Sequence, residues 1–163
     1  MRSDAGPCSR EFLSAYISGY ADGEGCFTVS ISPRRKLRAG WEVRPSFSVS
    51  QNGDRAEVLH AFQAYYGCGS IRPDRSDKTV KWETPPARGH PRPRDSALHP
   101  LPAVVREAAG FRRLRRVVCW MMARGAHRRR DGLSQIVKIA REMNPSGKRR
   151  YDAEAVLARL HAG

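Results

Sequence analysis

Apolar residues recur at helical spacing over 9–21, through Phe12, Leu13, Tyr16, Ile17, Tyr20 and Ala21. Ser9 offers an N-cap and Glu11 an acid in the first turn. Small residues (Ser14, Ala15, Ser18, Gly19) lie among the apolar ones, so a second backbone can come close to this helix. Gly23-Glu24-Gly25 should end it, because two glycines in three residues form helix poorly. The period then changes from helical to two. Over 26–32, Phe27, Val29 and Ile31 alternate with Cys26, Thr28, Ser30 and Ser32. Pro33 opens a basic turn, and 41–51 alternates again. Trp41, Val43, Pro45, Phe47 and Val49 fall on one face of that strand, and Glu42, Arg44, Ser46, Ser48 and Ser50 on the other. The pattern predicts a hairpin with a long basic tip. A second amphipathic helix over 54–66, closed by Gly67, precedes a second hairpin at 69–72 and 79–83.

Beyond residue 84 the pattern breaks. Residues 85–117 hold six prolines and eight arginines against two acids, with little apolar periodicity. Proline removes a helical donor and clashes with the preceding turn, so no helix is expected there. Pro, Arg, Ala, Leu and Gly dominate, the composition a GC-rich gene gives when read out of frame. We read 85–117 as an atypical segment, frame-shifted between two compensating indels or arising from an assembly error, and expect the core to lack a helix as a result. Regular pattern returns at Val118, with a helix over 133–143, a loop at 144–147 and a short terminal helix over 151–161.

Composition adds a partner class. The 163 residues carry 30 Lys and Arg against 16 acids, a net charge of +14, which points to a polyanion and first of all to nucleic acid. Twenty-five of the cations are Arg, which could equally reflect a GC-rich gene. No run of ~18 apolar residues could span a membrane. The polar N-terminus lacks the layout of a secretory signal, so an intracellular location, cytoplasmic or organellar, is expected. Cys8, Cys26, Cys68 and Cys119 form no CxxC pair, which argues against zinc ribbons and disulfide staples and for reduced thiols. The five histidines show no metal-ligand spacing.

The chemistry concentrates in Ile17-Ser18-Gly19-Tyr20-Ala21-Asp22-Gly23-Glu24-Gly25-Cys26-Phe27, which resembles the signature of the LAGLIDADG homing endonucleases. The signature ends a helix and meets a long strand pair at once, as in that family. Phe47-Ser48-Val49-Ser50-Gln51 resembles the end of the family's second strand, and 125–150 its C-terminal region. The resemblance covers 1–84 and 118–163. It implies an α+β fold with an αββαββα core and a saddle-shaped antiparallel sheet, one domain over 1–163. It also implies a site-specific, Mg²⁺-dependent homing endonuclease, encoded in an intron, that cuts both strands of a long pseudo-palindromic target. Only one signature is present, which in the family goes with homodimers, and a dimer's symmetry is mirrored in its DNA site.

The resemblance assigns residues in turn. Glu24, at the eighth signature position, maps to the metal-binding acid, and the Gly23 carbonyl to its main-chain helper. Phosphodiester cleavage needs a metal to activate water and stabilise developing charge. Mg²⁺ takes oxygen ligands and keeps several waters, so one carboxylate per subunit with DNA phosphates can suffice. Gln51 and Arg55 match the polar residues that order water and place charge near the scissile phosphate. A family lysine expected before the next helix has no counterpart, since no Lys lies between Lys81 and Lys138. The expected DNA-facing set is Ser30, Ser32, Arg34, Lys36, Arg38, Glu42, Arg44, Ser48, Ser50, Ser70, Arg72 and Lys81, with Lys148 on the backbone. On a ribbon in the major groove, Arg and Lys can read guanine and Glu can accept from cytosine. The expected dimer interface is Ser14, Ile17, Ser18 and Ala21. Two other readings stay open: an RNA-binding splicing cofactor acting on intron RNA, and a catalytically decayed DNA-binding relic.

Overall fold

In the computed structural model, residues 10–74, 78–85, 109–143 and 151–161 are described. Helix α1 spans Arg10–Glu24 and passes directly into strand β1, Gly25–Pro33. Strand β2 (Trp41–Asn52) leads through a 3-10 turn at Gly53–Arg55 into α2 (Glu57–Tyr66). Strands β3 (Ser70–Pro73) and β4 (Thr79–Glu83) follow, then helices α3 (Ala109–Arg124), α4 (Arg130–Met143) and α5 (Ala153–His161). The four strands form one antiparallel sheet in the order β1-β2-β4-β3. The expected α+β fold with an αββαββα core is present.

Alternation along the strands gives the sheet two unlike faces. Phe27, Val29, Ile31, Trp41, Val43, Phe47, Val49 and Trp82 take part in the apolar core under the helices. One end of that core joins Phe47, Phe62 and Trp82 with Ile17 and Ala21 of α1. The Phe27 and Phe47 rings stack with centroids 4.6 Å apart. The other end gathers Trp41, Val43, Leu133, Ile136 and Val156 beneath α4 and α5. Asp152 Oδ2 accepts from the Ala155 amide at 3.1 Å, which caps α5. Trp82 fixes its neighbour's identity, because a Cβ on Gly69 would lie 2.3 Å from the indole nitrogen.

Two expectations change. Residues 109–117 form the first half of α3, and Phe111, Leu114, Val117 and Val118 bury their side chains in the core. The core therefore does not lack this helix. The last proline of the region is Pro102, so nothing in 109–117 breaks a helix, and four arginines between the apolar positions hid their spacing. The earlier part of the suspected segment, 86–108, lies outside the described residues. α1 also runs three residues past its expected end, through Glu24.

Candidate functional site

The helix-to-strand junction positions the first functional group. With no loop between α1 and β1, Gly25 pairs with Val49 in the sheet while still packed on the last turn of α1. A Cβ on Gly25 would lie 2.2 Å from the Ala21 carbonyl oxygen and 3.1 Å from the Phe47 ring. Glycine is required here by a close backbone approach. Glu24, one residue earlier, is exposed and projects from this fixed point.

Gln51 lies two residues beyond Val49 on β2, so it falls on the helix side of the sheet, against α1. Its Nε2 donates to the Tyr20 hydroxyl, and its Oε1 accepts from the Asn52 amide at 2.8 Å. Tyr20 is four residues before Glu24, hence one turn away on the same face of α1. Its ring meets Phe62 edge-on at 6.0 Å and Tyr16 at 6.2 Å. Burial raises the phenol pKa above its ordinary value; the Gln51 hydrogen bond opposes that, the Glu24 charge reinforces it, and Arg55 opposes it. Both charges are thus felt at one phenol, and Arg55 is held by the 3-10 turn that follows β2. Of the residues named from sequence, Gln51 bonds Tyr20, Glu24 follows Tyr20 by one turn of α1, and Arg55 ends the 3-10 turn after β2. Tyr20 was read only as an apolar helix position; its i to i+4 relation to Glu24 was the available signal.

Among the described residues, no group of three His, Cys, Asp or Glu could enclose a metal. The donors at the junction are the exposed Glu24 carboxylate and the Gly23 carbonyl. Both are hard oxygen ligands of the kind Mg²⁺ takes, with room left for water and phosphate.

The polar face of the sheet runs out from this junction. Its rows are Cys26, Ser48, Glu83 and Ser70; Thr28 and Ser46; Ser30 and Arg44; Ser32 and Glu42; and Ser50, Lys81 and Arg72. Thr28 and Ser46 share a hydrogen bond at 3.0 Å, and Ser30 Oγ donates to the Arg44 carbonyl at 3.3 Å. The basic tip is an ordered turn, with the Arg34 amide donating to the Gly40 carbonyl at 2.7 Å. Lys36 and Arg38 are exposed on it.

Three assignments are corrected. Glu42 is 4% exposed, with Arg34 Nη1 at 2.8 Å and Arg44 Nε at 3.2 Å. It orders two arginines rather than standing open to accept from cytosine. Ser48 is buried, with no side chain free on the surface. Ile17, Ser18 and Ala21 are buried inside their own chain, Ile17 and Ala21 in the core under the sheet, and Ser14 takes the Tyr65 hydroxyl of α2 at 3.1 Å. The outward stripe of α1 is instead Phe12, Tyr16, Gly19 and Gly23. Sequence missed Glu83, which pairs with Arg72 on the polar face. Lys148 lies outside the described residues.

Signature, junction and two-faced sheet are what a resemblance to the LAGLIDADG endonucleases predicts, and that resemblance extends beyond the signature itself. The family's sequence model matches residues 17–86. The homing endonuclease I-ApeII of Aeropyrum pernix is 38% identical over 61 residues, 37% of this chain and 35% of that protein. The chain thus aligns with about a third of the length of the curated relatives it matches. The crystal structure of the homing endonuclease I-TnaI superposes with a TM-score of 0.73 at 29% identity, over 90% of this chain and 97% of that one. The archaeal intron-encoded homing endonuclease I-Vdi141I, complexed with DNA, gives 0.74 at 25% identity, over 94% and 98%.

Proposed function

We propose that this chain is a site-specific DNA homing endonuclease that acts as a single domain over 1–163, in a homodimer, and hydrolyses both strands of a long, partly palindromic target. The reading is supported by the Gln51–Tyr20 contact, one turn of α1 from Glu24, at the end of a polar, arginine-bearing sheet face. Arg34, Lys36, Arg38, Arg44, Arg72 and Lys81 would contact the duplex there. Ser30, Ser32, Ser50 and Ser70 would line it between them, and Lys148 would meet the backbone.

Glu24 and the Gly23 carbonyl would hold a divalent ion, with Mg²⁺ the natural candidate. When bound, such an ion activates water and stabilises charge at phosphorus and at the leaving oxygen. Gln51 orders water beside the scissile phosphate. Arg55 supplies positive charge where negative charge grows in the transition state. The sheet face fixes the duplex so that the phosphate meets Glu24.

A dimer is supported by α1. Phe12 is 65% and Tyr16 47% exposed on its outward stripe, and a Cβ on Gly19 or Gly23 would meet nothing within 4 Å. This chain's own packing therefore does not call for glycine at those helical positions, where it costs about 0.5–1 kcal/mol relative to Ala. A second helix approaching along that stripe does call for it, and it would bring two Glu24 carboxylates together, one per DNA strand.

The test is cleavage of an intron-less copy of the host locus, with Mg²⁺ or Ca²⁺, by the wild-type protein and by Glu24→Gln. Cutting at one position that needs both Mg²⁺ and Glu24 is expected. Specific DNA binding without any cutting overturns the nuclease reading. It would leave a decayed relic, or a splicing cofactor if intron RNA is bound tightly as well.

A further inference from the structure

We propose that Tyr20 is a positioning residue for strand cleavage: its hydroxyl oxygen holds the Gln51 side-chain amide in place beside Glu24. The inference deepens the endonuclease reading above and rests on it for its functional half.

A glutamine at the end of a strand has three side-chain torsions to fix before it can order a water. Gln51 is fixed at both ends of its amide, by Tyr20 Oη at Nε2 and by the Asn52 amide at Oε1. The Asn52 contact is to the next residue in the chain and moves with Gln51. Tyr20 is the only one of the two anchors on another element. It is itself locked, with its ring against Phe62, a fully buried core residue, and against Tyr16.

Packing does not require the oxygen. A phenylalanine ring would make the same contacts with Phe62 and Tyr16, so the hydroxyl is needed only for what it bonds. With Gln51 donating to it, Tyr20 keeps its own O–H hydrogen, and no acceptor for that hydrogen exists among the described residues. The second Nε2 hydrogen of Gln51 is likewise available. Two donors, held rigidly one helical turn from Glu24, can therefore orient water in the site. The arrangement lets the folded core set the geometry of a residue at the edge of the sheet.

The test uses Tyr20→Phe, Gln51→Leu and the double variant. Single-turnover cleavage is measured with Mg²⁺, DNA affinity with Ca²⁺, thermal melting without DNA, and the Gln51 side-chain NH₂ signals by ¹⁵N NMR. Tyr20→Phe should slow cleavage about five- to tenfold, the value of one lost neutral hydrogen bond, while affinity stays unchanged and melting temperature falls by no more than about 2–4 °C. The double variant should cut no more slowly than Gln51→Leu alone, because Tyr20 acts through Gln51. In Tyr20→Phe the Gln51 NH₂ signals should move to the position of a free glutamine. Wild-type cleavage by Tyr20→Phe, or losses that multiply in the double variant, would overturn the positioning role. A folded wild-type protein that does not cut would overturn the endonuclease reading and the role in cleavage with it. The NMR signals test the contact separately, and unchanged Gln51 signals in Tyr20→Phe would remove it.

Discussion

Gly25 and Gly19 are both signature glycines on or next to α1, yet their surroundings differ. A methyl group at Gly25 meets the Ala21 carbonyl oxygen at 2.2 Å, and backbone cannot move aside cheaply. Gly25→Ala should lower stability by about 1–3 kcal/mol or more, read as a fall in melting temperature. The same change at Gly19 meets open space. There Ala should raise the stability of the isolated subunit by about 0.5–1 kcal/mol through helix propensity, measured by denaturant unfolding of the monomer. At single residues, sequence names a candidate where one chemical need singles out a position. Glu24, Gln51 and Arg55 carry charge or hydrogen-bonding groups at positions that resemblance could name. Tyr20 was not legible, because a tyrosine on the apolar side of a helix reads as core. Glu42 was misread because strand alternation gives the face of a side chain but not the two arginines that cover it.

At the scale of elements, period carried most of the fold. The two hairpins alternate cleanly because one face of the sheet is wet and the other lies under helices. α3 was lost because its apolar positions are separated by arginines and follow a proline-rich stretch, so composition outweighed spacing. Its place in the core gives a direct check. Leu114 is 1% exposed, and Leu114→Ala should cost about 2–5 kcal/mol by equilibrium unfolding. A change near zero would mean that 109–117 does not pack as described. For α1 the sequence showed that small residues invite a second helix but not which face they occupy. Helical rotation decides that: Ile17 and Ala21 turn inward, and Phe12, Tyr16, Gly19 and Gly23 turn outward. Tyr16→Glu should therefore yield folded monomers by sedimentation, with the subunit's own core intact.

At the scale of the whole molecule, the proposed function joins charge to the symmetry of a dimer. The net charge of +14 is spread over more than the sheet face, so charge alone could not locate the DNA surface. The sheet register brings Arg72 and Lys81 into one row and aligns Arg44 with Ser30, which makes this the face proposed to meet the duplex. Lys81→Ala should weaken binding on all sequences and reduce the slope of log K against log salt by about one per subunit. In the proposed dimer two copies of Glu24, one from each subunit, each serve one DNA strand. Mixed dimers test it most directly: wild-type and Glu24→Gln subunits are combined in equal amounts and given supercoiled plasmid carrying the target, with Mg²⁺. Singly nicked circles should accumulate at the target, since a mixed dimer retains one working carboxylate. Linear product alone, in proportion to wild-type dimers and with no nicked intermediate, would contradict it.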